Sequence, residues 1–489
     1  MSVTDDPLAR SDQHDPQPPT ADSRAGSAER RPGGGWFRAF WRWHFYASFL
    51  VIPFLLMLSV TGLIYLLRFQ IEPGLHQNLM MVKAPAPAGE VAESYAAQQR
   101  AVDAAYPQAV VSSMTEPREP DRSTVFSITT ADGSVRDVFV DPWTARVLGD
   151  LNPDITLSGA AIRLHGDLMV GPWGDYLIEL AACWAVVMAI TGYLIFVTGR
   201  KARRRRRVAK AKGAPLRNRH AWTGAVAGLG LLLILVTGLP WTGFWGEQVQ
   251  KLATDRGTSL WGEDPGALSD PASTLDESLP HSHKVNVPWG LGKSEVPTSD
   301  TAAAGKKVSV ANIDTAIAVG AKAGLKHPMT VALPEDNQGV FSAIGYAFTD
   351  PGREKTVHVD QYGGRVVSTY GYDDYPVLAK VVSQGIALHE GRRFGGVTFW
   401  AALAFCLAVI FLCVSGPIMW WKRRPRGTGE VGAPRGKLKI KSTWWVALLL
   451  VALGIFLPLF GLSLVIVLVL DQLLLRRVEL FRRWFAVSA

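Results

Sequence analysis

Four histidines precede pairs of small residues at two repeated distances. The distance is 17 residues in two cases and 26 residues in the other two. The four combinations are His44 with Thr61-Gly62, His220 with Thr237-Gly238, His165 with Thr191-Gly192, and His389 with Ser415-Gly416. Imidazole is a common metal ligand, and an ionisable residue at a membrane is a functional candidate. The duplication therefore predicts paired metal ligation.

The elements that must position these histidines are apolar runs of the length that crosses a bilayer. About 20 apolar residues span the roughly 30 Å of hydrocarbon. The runs predict transmembrane helices at 36–69, 174–198, 220–243 and 395–421, and a C-terminal transmembrane helix or hairpin at 444–475. Pro458 and Gly461 interrupt the last run, for which we expect a single span. The fold class is thus a polytopic α-helical membrane protein.

The basic residues predict the orientation of the chain. They concentrate in the short segments 199–219 and 422–443, which the positive-inside rule makes cytoplasmic. The N-terminus is then cytoplasmic, and segments 70–173 and 244–394 are extracytoplasmic. Because topology accounts for the net charge of +9, no nucleic acid partner is expected. We predict a multi-pass protein of the cytoplasmic (inner) membrane.

The two ends of the chain carry less information. Segment 1–35 is poor in apolar residues and predicts a disordered cytoplasmic tail. The first apolar run is too long for a cleaved signal peptide, so we expect it to remain as a span. Segment 476–489 is a short tail whose side of the membrane stays open.

The two extracytoplasmic segments repeat each other. Each begins with a helical stretch, Ser94–Ala105 or Asn312–Ala323, and continues with alternating strands that turn at Asp141 or Asp360. This repeat predicts two pseudo-symmetric halves. Each half would have two transmembrane helices flanking an extracytoplasmic α+β domain.

The matched halves would bring the histidines together in two pairs, His44 with His220 on the cytoplasmic side and His165 with His389 on the outer side. Two facing neutral imidazoles without carboxylate or cysteine suit the axial positions of a b-type haem better than a zinc or calcium site. Glycines would let a flat macrocycle approach the helices, although helix packing is the alternative reason for them. These glycines are Gly62, Gly192, Gly224, Gly238 and Gly416.

At these residues the chain resembles the PepSY-associated transmembrane family, which includes iron-regulated inner-membrane proteins of the bacterial ferric-siderophore reductase type. The resemblance covers nearly all of 36–426 and rests on the histidines, the small-residue pairs and the hairpins at Asp141 and Asp360. It implies PepSY-like outer domains, two haem b groups, and electron transfer to iron chelates outside. The implied axial ligands are His44 with His220 and His165 with His389. The chain departs from the family pattern at Ser48 and Ser415, and by its C-terminal span.

The implied activity is that of an oxidoreductase with no catalytic side chain. The expected acceptor is a ferric-siderophore or other ferric chelate, and His281 and His283 are candidate residues for contacting it. No nucleotide-binding glycine motif follows a strand, so the donor is expected to be a membrane quinol or a separate reductase. Two alternatives remain open. One is a PepSY-domain sensor, assembly or peptidase-regulating membrane protein without redox activity, and the other is a transporter.

Overall fold

The computed structural model describes residues 34–83, 91–246, 248–249, 271–274, 295–299, 311–345, 349–424 and 444–485. Residues 1–33 of the predicted tail, most of the basic segment 422–443, and His281 and His283 lie outside these residues. The helices in chain order are α1 (Gly34–Leu66), α2 (Arg68–Leu75), α3 (Gln77–Met80), α4 (Tyr95–Ala105), α5 (Leu157–Asp167), α6 (Pro172–Thr198), α7 (Arg200–Val208), α8 (Ala214–Gly238), α9 (Ile313–Lys322), α10 (Val377–His389), α11 (Gly396–Arg423), α12 (Trp444–Phe456), α13 (Pro458–Leu470) and α14 (Glu479–Trp484).

Four long apolar helices form a ring. Helix α1 contacts α6 and α11, and α8 contacts the same two helices from the other side. Their shared interior is made of aliphatic side chains, among them Val51, Leu55, Ala185, Leu231 and Val409. Together with Pro458–Leu475, these helices make five segments with the length and composition to cross a membrane. The prediction of a multi-pass membrane protein is confirmed in this respect.

The basic segment between α6 and α8 is more helical than predicted. Residues 199–219 were expected to form a loop, but Arg200–Val208 is helix α7 and α8 begins at Ala214. Arginine, lysine and alanine are good helix formers, so a run of them continues a helix even when it is fully hydrated. His220 therefore lies inside α8 rather than at its start.

The C-terminal apolar run folds as two helices that are separated at Leu457. The expectation that this run forms a single span is therefore wrong. Helix α12 ends at Phe456 and α13 begins with Pro458, whose ring fits the first turn of a helix but not its interior. The helices fold back on each other, since the Cα of Gly461 lies 3.1 Å from the place that a Cβ on Gly454 would take. The Tyr46 hydroxyl donates to the Phe485 carbonyl, so the C-terminal end lies beside the beginning of α1.

The strands of segments 70–173 and 244–394, except β5 and β6, form one antiparallel sheet of eight strands. Its order is β10-β9-β8-β7-β1-β2-β3-β4, and a separate pair is formed by β5 and β6. The strands are β1 (Val110–Thr115), β2 (Thr124–Thr129), β3 (Val135–Val140), β4 (Val147–Leu151), β5 (Pro271–Thr274), β6 (Glu295–Pro297), β7 (Met329–Ala332), β8 (Val340–Gly345), β9 (Lys355–Asp360) and β10 (Val366–Gly371). Strands β1 and β7 pair at the centre, with Met114 opposite Val331. The two outer segments thus share a sheet, where the sequence predicted a separate domain for each.

Local features of the outer segments agree with the sequence patterns. Ser94 caps α4 by accepting from the Ala97 amide, and Asn312 caps α9 in the same way. Both hairpins turn at the expected aspartates, where the amide of Asp141 or Asp360 donates to a carbonyl five residues later. The apolar faces of α4 and α9 cover one side of the sheet, and α10 packs on the other. Helix α10 therefore connects the sheet to the membrane helices.

Candidate functional site

The four histidines lie on four different helices. His44 is in α1, His220 in α8, His165 in α5, and His389 is the last residue of α10. Helix α5 packs on α1 and α6, and α10 packs on α8. The short helices α5 and α10 thus bring two histidines to the sheet side of the bundle. His44 and His220 are at the opposite end.

Each histidine is held by the hydroxyl of one small-residue pair. The Nδ1 to hydroxyl distances are 2.8 Å for His165 with Thr61, 3.3 Å for His44 with Thr191, 3.2 Å for His389 with Thr237, and 2.7 Å for His220 with Ser415. Every bond joins two different helices. The 17- and 26-residue spacings thus separate groups at opposite ends of the bundle. Each histidine of a 17-residue spacing contacts the hydroxyl of a 26-residue spacing, and each histidine of a 26-residue spacing contacts the hydroxyl of a 17-residue spacing.

These hydrogen bonds favour one tautomer of the imidazoles. Thr61 donates its hydroxyl proton to the carbonyl of Met57, so its oxygen accepts from the Nδ1–H of His165. Thr191 and Thr237 donate in the same way to a carbonyl four residues earlier, and Ser415 to one three residues earlier. With the proton on Nδ1, the lone pair of each ring is on Nε2. A metal bound by these histidines would therefore be bound through Nε2.

The glycine of each pair makes room for the imidazole. A Cβ on Gly238 would lie 3.0 Å from Cε1 of His389, and one on Gly192 would lie 3.2 Å from Cε1 of His44. At Gly62 and Gly416 the corresponding distances to a histidine Cε1 are 3.8 and 3.9 Å. The sequence assigned these glycines to a macrocycle, whereas the neighbour of each in the structure is an imidazole ring.

His165 and His389 face each other on the sheet side. Their ring centroids are 6.5 Å apart and their planes are nearly perpendicular, at 86°. Two imidazoles that bind one metal ion from opposite sides, with metal–nitrogen bonds of about 2.0 Å, have centroids about 6 Å apart. The spacing of this pair therefore fits one metal ion between the rings.

Both sheet-side imidazoles are neutral at physiological pH. Removal from water disfavours the charged ring and lowers the pKa of His165 to about 4, with a further contribution from the nearby His389. Removal from water also lowers the pKa of His389, against the opposing effect of Glu390. Neutral imidazole is the form that binds metal ions.

His44 and His220 form the second predicted pair. Their rings are close enough to interact electrostatically, and each is held from behind by a hydroxyl of a neighbouring helix. The Nδ1 of His44 also lies 2.9 Å from the Met188 carbonyl. Gly224 does not contact His220, because the nearest group to its added Cβ is a methyl of Leu412 at 3.7 Å. Its role beside a cofactor stays a prediction.

Within the described parts of the chain, no group of three or more His, Cys, Asp or Glu side chains could hold a metal ion. Each histidine pair can thus supply two protein ligands. A metal between two imidazoles needs further ligands in the plane between them, and a tetrapyrrole provides four nitrogens in that arrangement. The residues present fit such a group.

Polar groups near the sheet-side pair were missed by the sequence patterns. The Tyr65 hydroxyl donates to Glu390, and Arg392 pairs with the same carboxylate. Glu179, fully buried in α6, accepts from the Phe244 amide where the sequence suggested an apolar span. The contact between Tyr65 and Glu390 could have been expected only from the position of Tyr65, one helical turn after Thr61.

Comparison with known protein families gives a match. A family profile described as PepSY-associated TM region matches residues 41–423, which include all four histidines and their hydroxyl partners. No curated protein matches the chain.

Proposed function

Because the chain belongs to the family of PepSY-associated transmembrane proteins, we propose that it is an electron-transfer protein that holds two haem b groups in its membrane bundle. The observation that carries this proposal is the pair of imidazoles 6.5 Å apart, each hydrogen-bonded through Nδ1 to a threonine on a neighbouring helix. A structural histidine in a helix bundle needs one hydrogen-bond partner. It does not need a second imidazole with its ring centroid 6.5 Å away.

In this proposal the protein chain has three tasks. His165 with His389 would hold one haem, and His44 with His220 would hold the other. The hydroxyls of Thr61, Thr191, Thr237 and Ser415 fix the tautomer and the ring orientation, and they raise the basicity of the ligating nitrogen. The aliphatic interior between the two levels excludes water. A haem bound at each level would supply a one-electron carrier.

The charge distribution supports an orientation for this protein. Helix α7 is almost entirely basic and exposed, and the positive-inside rule makes its side of the membrane cytoplasmic. We therefore propose a location in the cytoplasmic membrane with the eight-stranded sheet outside. His165 and His389 are then at the outer side. The contacts of α1 with α5 and α6, and of α8 with α10 and α11, support two pseudo-symmetric halves around these sites.

We propose a ferric chelate, such as a ferric-siderophore, as the outer electron acceptor. One electron converts Fe(III) in the chelate to Fe(II), and hard oxygen ligands hold Fe(II) less tightly. A membrane quinol that gives up two electrons and two protons reduces two chelates, and a separate reductase is the other source of electrons. His281 and His283 remain candidates for contacting the chelate.

Reoxidation of the reduced protein tests this function. Purified protein in liposomes, reduced anaerobically and mixed with ferric citrate or a ferric hydroxamate, should lose its reduced haem absorption in a stopped-flow experiment. His389→Ala should abolish the fast phase, because it removes an outer axial ligand. His327→Ala is the control, since His327 pairs with Glu116 in the outer domain. Bound haem that no chelate reoxidises would contradict the acceptor and favour a sensor without redox activity.

A further inference from the structure

Arg68, the first residue of α2, is a buried cation that forms no ion pair with the residues that the structure describes. It is 7% exposed, its Nη1 donates to the Tyr65 carbonyl at 2.7 Å, and its Nε is buried without a hydrogen-bond partner. Among the residues described by the structure, no carboxylate lies within ion-pair distance of it. A buried charge is strongly disfavoured unless an opposite charge or a set of hydrogen bonds compensates for it.

Two aromatic rings compensate in part. The guanidinium carbon lies 3.7 Å from the centroid of Tyr65 and 4.2 Å from that of Phe69. Cation–π contacts of this kind favour a cation, but they use the faces of the guanidinium and leave its N–H groups at the edge. The N–H groups at the edge of a guanidinium suit a carboxylate.

The nearest carboxylates are engaged elsewhere. Glu72 is one turn from Arg68 on α2, but its Oε1 accepts from the Ser158 amide at the beginning of α5, and its Oε2, which has no hydrogen-bond partner, lies 3.5 Å from His76. Glu390 accepts from Tyr65 and pairs with Arg392. Neither carboxylate forms an ion pair with Arg68, which leaves its Nε open to an anion from outside the described chain.

The position of Arg68 indicates which anion that is. Thr61 and Tyr65 lie one turn apart on one face of α1, and Arg68 follows them as the first residue of α2, after a break at Leu67. Thr61 holds His165, and Tyr65 reaches Glu390, the residue after His389. In addition, α2 packs on α5, which carries His165. Arg68 thus lies beyond the His165–His389 pair, on the side away from the middle of the membrane.

We propose that Arg68 binds a propionate carboxylate of the haem held by His165 and His389. This inference rests on the proposed function. A haem between these imidazoles carries two propionates at its edge, and they are the anions that arrive with the cofactor. Stacking between Tyr65 and Phe69 holds the guanidinium in place before the haem binds, which reduces the entropy lost on binding.

The test uses full-length protein in which only the sheet-side site is retained. His220→Ala removes a ligand of the other haem, and Arg68→Gln is introduced into this background. Transfer of haem to excess apomyoglobin should then be about tenfold faster or more, which is the effect of losing one charge-assisted hydrogen bond. Arg68→Lys should restore part of the retention. In a His389→Ala background, where only the distant haem remains, Arg68→Gln should have no effect.

Haem dimethyl ester separates recognition of the carboxylate from a structural effect. Loaded with this ester, the His220→Ala protein with and without Arg68→Gln should lose the cofactor at the same rate, as in a double-mutant cycle. Arg122→Gln is the matched control, because Arg122 forms ion pairs with Glu119 and Asp121 instead. Equal effects of Arg68→Gln on haem and on its ester, or none on haem, would overturn the inference while leaving the haem site intact. Absence of haem from the His220→Ala protein would instead refute the proposed function.

Discussion

At the scale of single residues, the recurring unit is a histidine, a hydroxyl and a glycine on two helices. The hydroxyl accepts from Nδ1 and the glycine gives the ring space, so the imidazole has one tautomer and one position. Four copies of this unit occur. The sequence pattern indicated the members of the unit correctly. It did not show that the hydroxyl of each pair, as well as the glycine, contacts an imidazole.

The glycines provide a prediction with its controls built in. Gly238→Ala and Gly192→Ala place a methyl 3.0 and 3.2 Å from a histidine ring, whereas Gly62→Ala and Gly416→Ala leave 3.8 and 3.9 Å. The first two should displace the imidazole and lower haem affinity roughly tenfold or more. The other two should be neutral or slightly stabilising, because alanine favours helix. Haem content measures the loss of affinity, and the g-values in the electron paramagnetic resonance spectrum of the ferric protein measure the displacement of the imidazole. Equal losses in all four variants would show that the glycines accommodate the macrocycle instead.

At the scale of elements, glycines also determine how the chain enters the membrane on the sheet side. Gly171 and Gly395 precede α6 and α11 with φ/ψ of 66°/−144° and 56°/−131°. Only glycine adopts this conformation without strain. Both glycines come six residues after a sheet-side histidine, so these sharp turns help to set the position of α5 and α10 relative to the membrane helices.

Gly395→Ala should lower the thermal stability of the purified protein, with a cost of about 1–3 kcal/mol for the strained backbone. The adjacent Gly396→Ala is a close control, because Gly396 lies inside α11 and an added Cβ meets no atom within 4 Å. It should leave the melting temperature unchanged or raise it. Equal melting temperatures for the two variants would be inconsistent with a strained turn at Gly395.

Glu354, which precedes β9, predicts a pH dependence of the outer domain. Burial raises the pKa of its carboxyl to about 7, against hydrogen bonds from Ser383 and Tyr375. Native protein therefore keeps the proton up to about pH 7, whereas unfolded chain releases it near its ordinary pKa of about 4.3. The stabilisation is complete below that value and is lost as the pH rises through 7.

Glu354→Gln should remove this part of the pH dependence, because the amide does not titrate. Thermal unfolding followed by tryptophan fluorescence between pH 5 and pH 8 measures it. Glu335→Gln, at an exposed position, should keep the wild-type profile. A Glu354→Gln profile that declines between pH 5 and pH 7 as steeply as the wild type would assign the effect to other groups.

At the scale of the whole molecule, the sequence predicted the helices better than their assembly. Helix caps at Ser94 and Asn312 and turns at Asp141 and Asp360 depend on local chemistry, so they could be predicted. The pairing of β1 with β7 joins strands far apart in the chain, and no local pattern specifies it. The sequence also could not single out Arg68, because its significance depends on the absence of an ion-pair partner among the described residues of the folded chain. The reversal of the chain at Leu457 could be predicted in part. Pro458 indicated a break in the helix, but not the direction of the helix that follows.

The central claim concerns two pairs of histidines that each bind one haem. It is tested most directly by the reduced-minus-oxidised absorption spectrum of the purified protein and of four variants, His44→Ala, His165→Ala, His220→Ala and His389→Ala. We expect a bis-histidine b-type spectrum in the wild type and in the control His327→Ala, and about half of the haem in each of the four variants. A colourless wild-type protein, or full haem retention in all four variants, would contradict the account.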